Sequence, residues 1–375
     1  MGQKLKQALL HTPEGVWDHY GSDLREYEAV EAGIRGVMHR YGYEDIKTPT
    51  FEFFDVFSKD IGTRPSRELY KFFDKEGNTL VLRPDFTPPV ARCAAKYFMD
   101  ETEPLRFCYE GSSFSNLSSL QGRLNETTQM GAELVGDSSA EADAEMLALT
   151  IETLKSAGLS RFQITVGNVE YFRGVCEAAG LDEETELALR EYISGKNYFA
   201  AEKLLEQAGV PQEFTARFLR ITSPAGNDTE LLALREDAPN ARAAGALTRL
   251  MQVYQVLKIY GYEQYISFDL SLLSNYRYYT GMLFKGYTYG VGDRIAGGGR
   301  YDALLSRFGK DAPAIGFAVQ IDTLMEALRA QGIAVAAEDA PEVLTWSAGE
   351  GDYELKLRMA QELRAKGHRV VLKKA

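Results

Sequence analysis

Between Asp23 and Tyr41 apolar side chains return every third or fourth residue, at Leu24, Tyr27, Val30, Ile34, Val37 and Tyr41. That spacing predicts an amphipathic helix, stopped by Gly42. Strand-like runs follow. Pro49, within YEDIKTPTFEFFDVF, predicts an edge or interface strand, because proline offers no N–H to a ladder. LYKFFD and TLVLRPD flank a KEGN turn and predict a hairpin, after which Leu82-Arg83-Pro84-Asp85 ends in a loop suited to a ligand. The stretch Phe107–Gly136 predicts the organising element of the chain. An aromatic-rich strand (Phe107, Tyr109) passes through a polar Ser/Asn/Gly loop and returns as a strand from Gln129 to Val135.

Beyond it, Ser138 or Ser139 should cap a helix carrying Met146, Leu147, Ile151 and Leu154 on one side. Phe162, Ile164 and Val166 alternate as in a half-buried strand. From about residue 170 to 262 the pattern is almost wholly helical, with breaks at SGKN and SPAGND, and predicts a helical insertion between strands. Strand signals resume at Ile266, Phe268 and Leu270, in YYTGMLFKGYTYG and GDRIAGGGRYD, and in PAIGFAVQIDTLMEALRAQG, a strand running into a helix. The tail reads as one β-α-β unit: Val343–Trp346, Tyr353–Lys366 closed by Gly367, and Arg369–Leu372. A unit that small buries too little surface to fold alone and needs a surface to pack on. The expected division is 1–330 for the main domain and 331–375 for the tail.

Charge and composition narrow the chemistry. The 375 residues hold 45% apolar and 26% charged residues, as in an ordinary soluble protein, and no apolar run spans a bilayer. The N-terminus lacks the apolar stretch of a signal peptide, so a cytoplasmic location is expected. A formal net charge of −12, without a basic stripe, disfavours nucleic acid as a partner. Cys93, Cys108 and Cys176 form no CxxC pair and predict reduced, packed thiols; the four scattered histidines have no metal-ligand spacing. Neither a metal, a cofactor nor a nucleophilic triad is indicated. Between Phe114 and Gly131 the only cation is Arg123, where a phosphate-handling loop would need several.

Six runs occur together and in order: TPTFE (Thr48–Glu52), LRPDFTPPVAR (Leu82–Arg92), Phe107–Gly136, NYRYYTG (Asn275–Gly281), GGGRYD (Gly297–Asp302) and PAIGFA (Pro313–Ala318). Jointly they resemble the class II histidyl-tRNA synthetase catalytic domain over most of 1–330. The resemblance implies an α+β fold: an antiparallel sheet flanked by helices, with a helical insertion and a truncated βαβ remnant of the anticodon-binding domain. It also implies a homodimer. Carried over by position, Asp85 (an Asp for the usual Glu) and Thr87 match the residues that hold the α-amino group. Gln129 and Glu133 match polar pocket residues, and Tyr278 and Tyr279 the paired tyrosines near the imidazole. An ammonium needs a carboxylate, and imidazole nitrogens need partners on both sides.

The same alignment of motifs implies a lost catalytic side. The phosphate-gripping arginine of the strand–loop–strand falls on Ser115, that of the third motif on Thr323, and the one before the tyrosines on Ser274. Losing one such donor costs about a hundred- to a thousandfold in rate. The pattern resembles the synthetase's paralogue family, the regulatory subunits of short-form ATP phosphoribosyltransferase. That resemblance implies no catalysis, a short catalytic subunit as partner in a hetero-octamer, and feedback inhibition by L-histidine. A divergent active synthetase and a stand-alone amino-acid sensor or ligase are the alternatives. Arg123 or Arg277, or backbone N–H groups, are candidates to meet the ligand's carboxylate.

Several residues also have plainer readings. Asp85 could cap the segment after Pro84. Tyr278 and Tyr279 would alternate on a strand, one facing the core. Gly297–Gly299 lacks the Lys-Ser/Thr of a P-loop and reads as close strand packing, with Arg300 structural. Glu133 is the residue that packing explains least, since a strand carboxylate there needs a partner.

Overall fold

The computed structural model describes residues 10–57, 65–117, 124–221, 228–274, 278–337, 340–349 and 351–375. The first periodic stretch forms helix α1 (Gly21–Arg40), with Ile34, Val37 and Met38 buried. The hairpin residues form strands β3 (Lys71–Phe73) and β4 (Thr79–Leu82), joined by β2 (Phe51–Phe53) in a three-stranded sheet of order β2-β4-β3. Pro49 thus precedes an edge strand.

The main sheet has eight strands, β1 (Glu44–Asp45), β5 (Leu105–Phe114), β6 (Glu126–Val135), β11 (Ala314–Gln320), β10 (Ala296–Arg300), β9 (Met282–Thr288), β7 (Phe162–Asn168) and β8 (Ile266–Phe268), in that spatial order. The six inner strands pair antiparallel, as expected. The two edges differ: β1 pairs parallel with β5, and β8 parallel with β7, so the sheet is mixed. A parallel pair needs a crossover connection. Helices α4 (Val169–Ala178), α5 (Glu183–Ser194), α6 (Tyr198–Gln207), α7 (Gln212–Ile221), α8 (Asp228–Glu236) and α9 (Ala241–Tyr260) supply it between β7 and β8. The helical insertion is therefore the long crossover of one parallel strand pair. Side chains of Asn168, Asp182, Asn197 and Asn240 cap four of these helices by accepting backbone N–H bonds. The break at SGKN separates α5 from α6; SPAGND, apart from Asp228, falls outside the described residues.

Helix α2 (Thr87–Tyr97) packs on the sheet through Val90, Ala91 and Ala94, in a core with Tyr109, Tyr278, Tyr301 and Leu305. Phe86 stacks on Tyr109 with ring centroids 4.4 Å apart, and the Arg83 guanidinium carbon lies 4.1 Å from the centroid of the Phe86 ring. Helix α3 (Ala140–Ser156), capped by Ser139, carries a buried carboxylate, Asp143, on its core side. Asp143 accepts from Nε and Nη2 of Arg300 at 2.8 and 2.6 Å and from Nε of Arg249 at 2.7 Å. Arg300 is thus a structural cation, 5% exposed.

The glycines of β10 do what close packing requires. A Cβ at Gly299 would lie 2.9 Å from Cδ1 of Tyr279, and one at Gly298 2.8 Å from the Phe284 ring. The Gly-rich strand is a bare floor across which aromatic rings lie. Residues His19–Ala29 and Val335–Ala375 form a second compact unit. Within it β12 (Glu342–Trp346) and β13 (Val370–Lys374) pair parallel around helix α11 (Asp352–Ala365), with Trp346 edge-on to Tyr353 at 4.9 Å. No helix among the described residues is long and apolar enough to cross a membrane.

Candidate functional site

Strands β5, β6, β10 and β11, the start of α2 and the start of helix α10 (Ile321–Ala330) surround a cavity of about 690 Å³. Asp85 sits on its wall between β4 and α2. Its Oδ1 accepts from the backbone N–H of Thr87 at 3.2 Å and its Oδ2 from the Tyr278 hydroxyl at 2.9 Å. One Asp85 oxygen thus holds the backbone at the start of α2, and the other is held by a tyrosine on the cavity wall.

Thr87, Gln129, Tyr278 and Tyr279 also line the cavity. The two tyrosines are not on a strand. They precede β9, which begins at Met282, and tilt against each other with centroids 4.8 Å apart. Gln129 donates from Nε2 to Oε1 of Gln320 at 3.2 Å, across the β6–β11 pair.

Glu133 is not itself among the lining residues; it lies beneath them, 1% exposed. Its Oε1 accepts from the Thr87 hydroxyl at 2.8 Å and its Oε2 from the Tyr301 hydroxyl at 2.5 Å. Burial pushes its carboxyl up to about 8, against the hydrogen bonds of Tyr301 and Thr87, with the charge of Asp85 adding to the rise. The partner that this carboxylate needed is the tyrosine of GGGRYD, which sequence spacing alone did not connect to it.

Of the three positions where the resemblance implied lost arginines, Ser115 and Thr323 line the cavity and Ser274 does not. Ser115 is 8% exposed, and its N–H donates to the carbonyl of Asn125 at 2.8 Å. Thr323 lies in the first turn of α10, next to Asp322, whose Oδ2 accepts from the N–H of Thr128 at 2.7 Å. A helix N-terminus attracts anions. Here Asp322 stands in that first turn, with Glu326 a turn further along and also on the cavity. Among the described lining residues the charges are Asp85, Asp293, Asp322 and Glu326 against Arg294. The described part of the wall is acidic on balance, which favours a cationic group beside it over an anionic one. Arg123 and Arg277 lie outside the described residues. Arg294, within GDRIAGGGRYD, carries no signal in the sequence that sets it apart from surface charge.

Away from the cavity, His39, Asp45 and Cys108 bring potential metal-ligating atoms within 4.8 Å of one another, which their sequence spacing did not predict. Burial, with Asp45 beside it, pushes the Cys108 thiol up to about 12. The Arg35 guanidinium lies 3.8 Å from Asp45 and supplies a positive charge there already.

Fold and site together define a histidyl-tRNA synthetase-like protein, and the histidyl-tRNA synthetase family profile matches residues 15–324. The ATP phosphoribosyltransferase regulatory subunit of Ruminiclostridium cellulolyticum is 40% identical over 323 residues, covering 86% of this chain and 77% of the relative. That of Clostridium kluyveri is 34% identical over 359 residues, covering 95% and 91%. A Bacillus halodurans crystal structure described as an ATP phosphoribosyltransferase regulatory subunit/histidyl-tRNA synthetase superposes with a TM-score of 0.87 at 32% identity, covering 98% of this chain and 93% of that one. The chain belongs to the family of ATP phosphoribosyltransferase regulatory subunits.

Proposed function

We propose that this chain acts without catalysis of its own as the regulatory partner of a short ATP phosphoribosyltransferase catalytic subunit, and that its cavity senses L-histidine. The observation that carries the reading is the contrast within one cavity. Asp85, Thr87, Gln129, Tyr278 and Tyr279 keep a polar set suited to an amino acid, while Ser115 and Thr323 offer hydroxyls where adenylate formation needs cations. In this reading Asp85, held by Tyr278, receives the α-ammonium. The imidazole lies against Gln129 and Tyr279, and Glu133 fixes Thr87 from below. A site with committed polar groups rejects ligands that leave them unpaired.

Regulation then follows from unequal affinity. Histidine bound more tightly to one state of the assembly shifts the population toward that state, and the catalytic subunit reports the shift. A homodimer core within a cytoplasmic hetero-octamer completes the proposal. Calorimetric titration with L-histidine and, separately, ATP tests it. Histidine binding without ATP binding, and a catalytic-subunit rate that rises with this chain and falls again with histidine, is the expected result. Histidine-dependent ATP–pyrophosphate exchange would instead identify an active synthetase.

A further inference from the structure

His39, Asp45 and Cys108 come from three elements, and the chain's local geometry brings them together. Helix α1 ends at Arg40, and the chain turns at Gly42, whose φ is +80°, into the two-residue strand β1. The parallel pairing of β1 with β5 sets Asp45 beside Cys108, and the turn brings the His39 ring to the same carboxylate. Nε2 of His39 is 3.0 Å from Oδ2 of Asp45, and Sγ of Cys108 is 3.7 Å from its Oδ1. All three ligand atoms lie within 4.8 Å of one another. Around a tetrahedral zinc ion, with bonds of about 2.0–2.3 Å, ligand atoms lie about 3.3–3.7 Å apart. The two shorter separations span that range, and the third closes onto it by a small turn of the exposed His39 ring.

Charge favours a divalent ion as well. Arg35, one turn before His39 on α1, bonds Glu110 through Nη2 and reaches Asp45 only at 3.8 Å, through Nε. One guanidinium therefore faces two carboxylates, and one negative charge is left over. A divalent cation held by the Cys108 thiolate brings the sum of these groups to zero. One sulfur, one ring nitrogen and one carboxylate suit ions of the zinc class, whereas calcium and magnesium take cages of oxygen. His39 and Asp45 are exposed, so an ion in solution reaches the site, and Cys108 lies buried beneath them.

We propose that His39, Asp45 and Cys108 form a site for one divalent metal ion of the zinc class, with water as the fourth ligand. On binding, the thiol passes its proton to solvent and a sulfur–metal bond takes its place. The ion clips the end of α1 and the edge strand β1 to β5, the strand whose next residue, Tyr109, lines the cavity.

Cobalt(II) titrated into the metal-free full chain tests the site, because a thiolate on cobalt gives a near-ultraviolet charge-transfer band. One ion per chain, that band, and its displacement by zinc are expected. Cys108→Ser should abolish the band. Losing even an outer partner of a ligand costs about 10- to 100-fold in metal affinity, so His39→Ala and Asp45→Asn should each weaken cobalt by at least about a hundredfold. No band in the unmodified chain, a band that survives Cys108→Ser, or an affinity unmoved by His39→Ala would overturn the assignment. Thermal unfolding of each metal-free variant reports the fold. Should Cys108→Ser fail to fold, His39→Ala decides the matter, since an exposed side chain can be changed without disturbing the core.

Discussion

Glu133 occupies the space that any side chain at position 316 would need. Strands β6 and β11 place Glu133 opposite Gly316, and a Cβ built on Gly316 would overlap Oε2 of that carboxylate. The glycine of PAIGFA is thus the reason a carboxyl group can lie flat beneath the cavity, within reach of both Thr87 and Tyr301.

Gly316→Ala is expected to destabilise the chain by about 3 kcal/mol, the upper end for overpacking, because the obstacle is buried and hydrogen-bonded. Glu133→Ala should relieve much of that cost. The denaturant midpoints of the two single variants and the double variant give the coupling, expected at about 1–3 kcal/mol. Additive effects would mean that the strands separate rather than clash.

The buried carboxyl also predicts a pH dependence. Its folded pKa is raised from the ordinary 4.5 to about 8. The native protein therefore holds a proton that the unfolded chain has lost, and this stabilisation is complete below about 4.5 and disappears as pH rises through about 8. Stability should fall across that window with a limiting slope of about 1.4 kcal/mol per pH unit. Glu133→Gln should flatten the profile measured by denaturation from pH 5 to 9. Superimposable profiles would refute the assignment.

Asp143 is the second buried charge, met by Arg300 and Arg249. Asp143→Asn takes from Arg300, itself 5% exposed, its buried carboxylate and leaves it Asp302, whose Oδ1 accepts from Nη1 at 3.0 Å. A loss toward the lower end of about 3–5 kcal/mol is expected, the range for breaking a buried ion pair. Chemical denaturation at neutral pH reads it directly, and a loss under about 1 kcal/mol would show the pair to be solvated.

Tyr278→Phe removes the hydroxyl that donates to Asp85 and keeps the ring. Histidine affinity should drop about tenfold, while stability changes by no more than about 1 kcal/mol. Calorimetry and thermal unfolding on the same sample distinguish the two. A large loss of fold would make Tyr278 a core residue first.

Particular residues show what the sequence could and could not disclose. The alternation of Phe162, Ile164 and Val166 and the cap at Ser139 depend on neighbours in the chain, and local pattern found them. The parallel edges escaped it, since β1 has two residues and β8 three, too few to carry a pairing signal. Glu133 was recognisable as a carboxylate in need of a partner. Tyr301 and Gly316, which make its position possible, come from distant motifs and meet it only in three dimensions. Asp143 went unnoticed because one carboxylate on an apolar helix face looks like solvent-facing charge until the Arg300 opposite is seen. Tyr278 and Tyr279 were placed one segment too far, on a strand that starts only at Met282.

The acidic wall has one further consequence. The catalytic partner proposed for this chain consumes ATP, so the assembly works amid a pool of nucleotide. A sensor cavity that welcomed triphosphates would be occupied by that pool, and its occupancy would follow the cell's energy supply. On the reading proposed above, Asp293, Asp322 and Glu326 in the cavity wall would turn nucleotide away, so supply of product and supply of fuel would be read through separate channels.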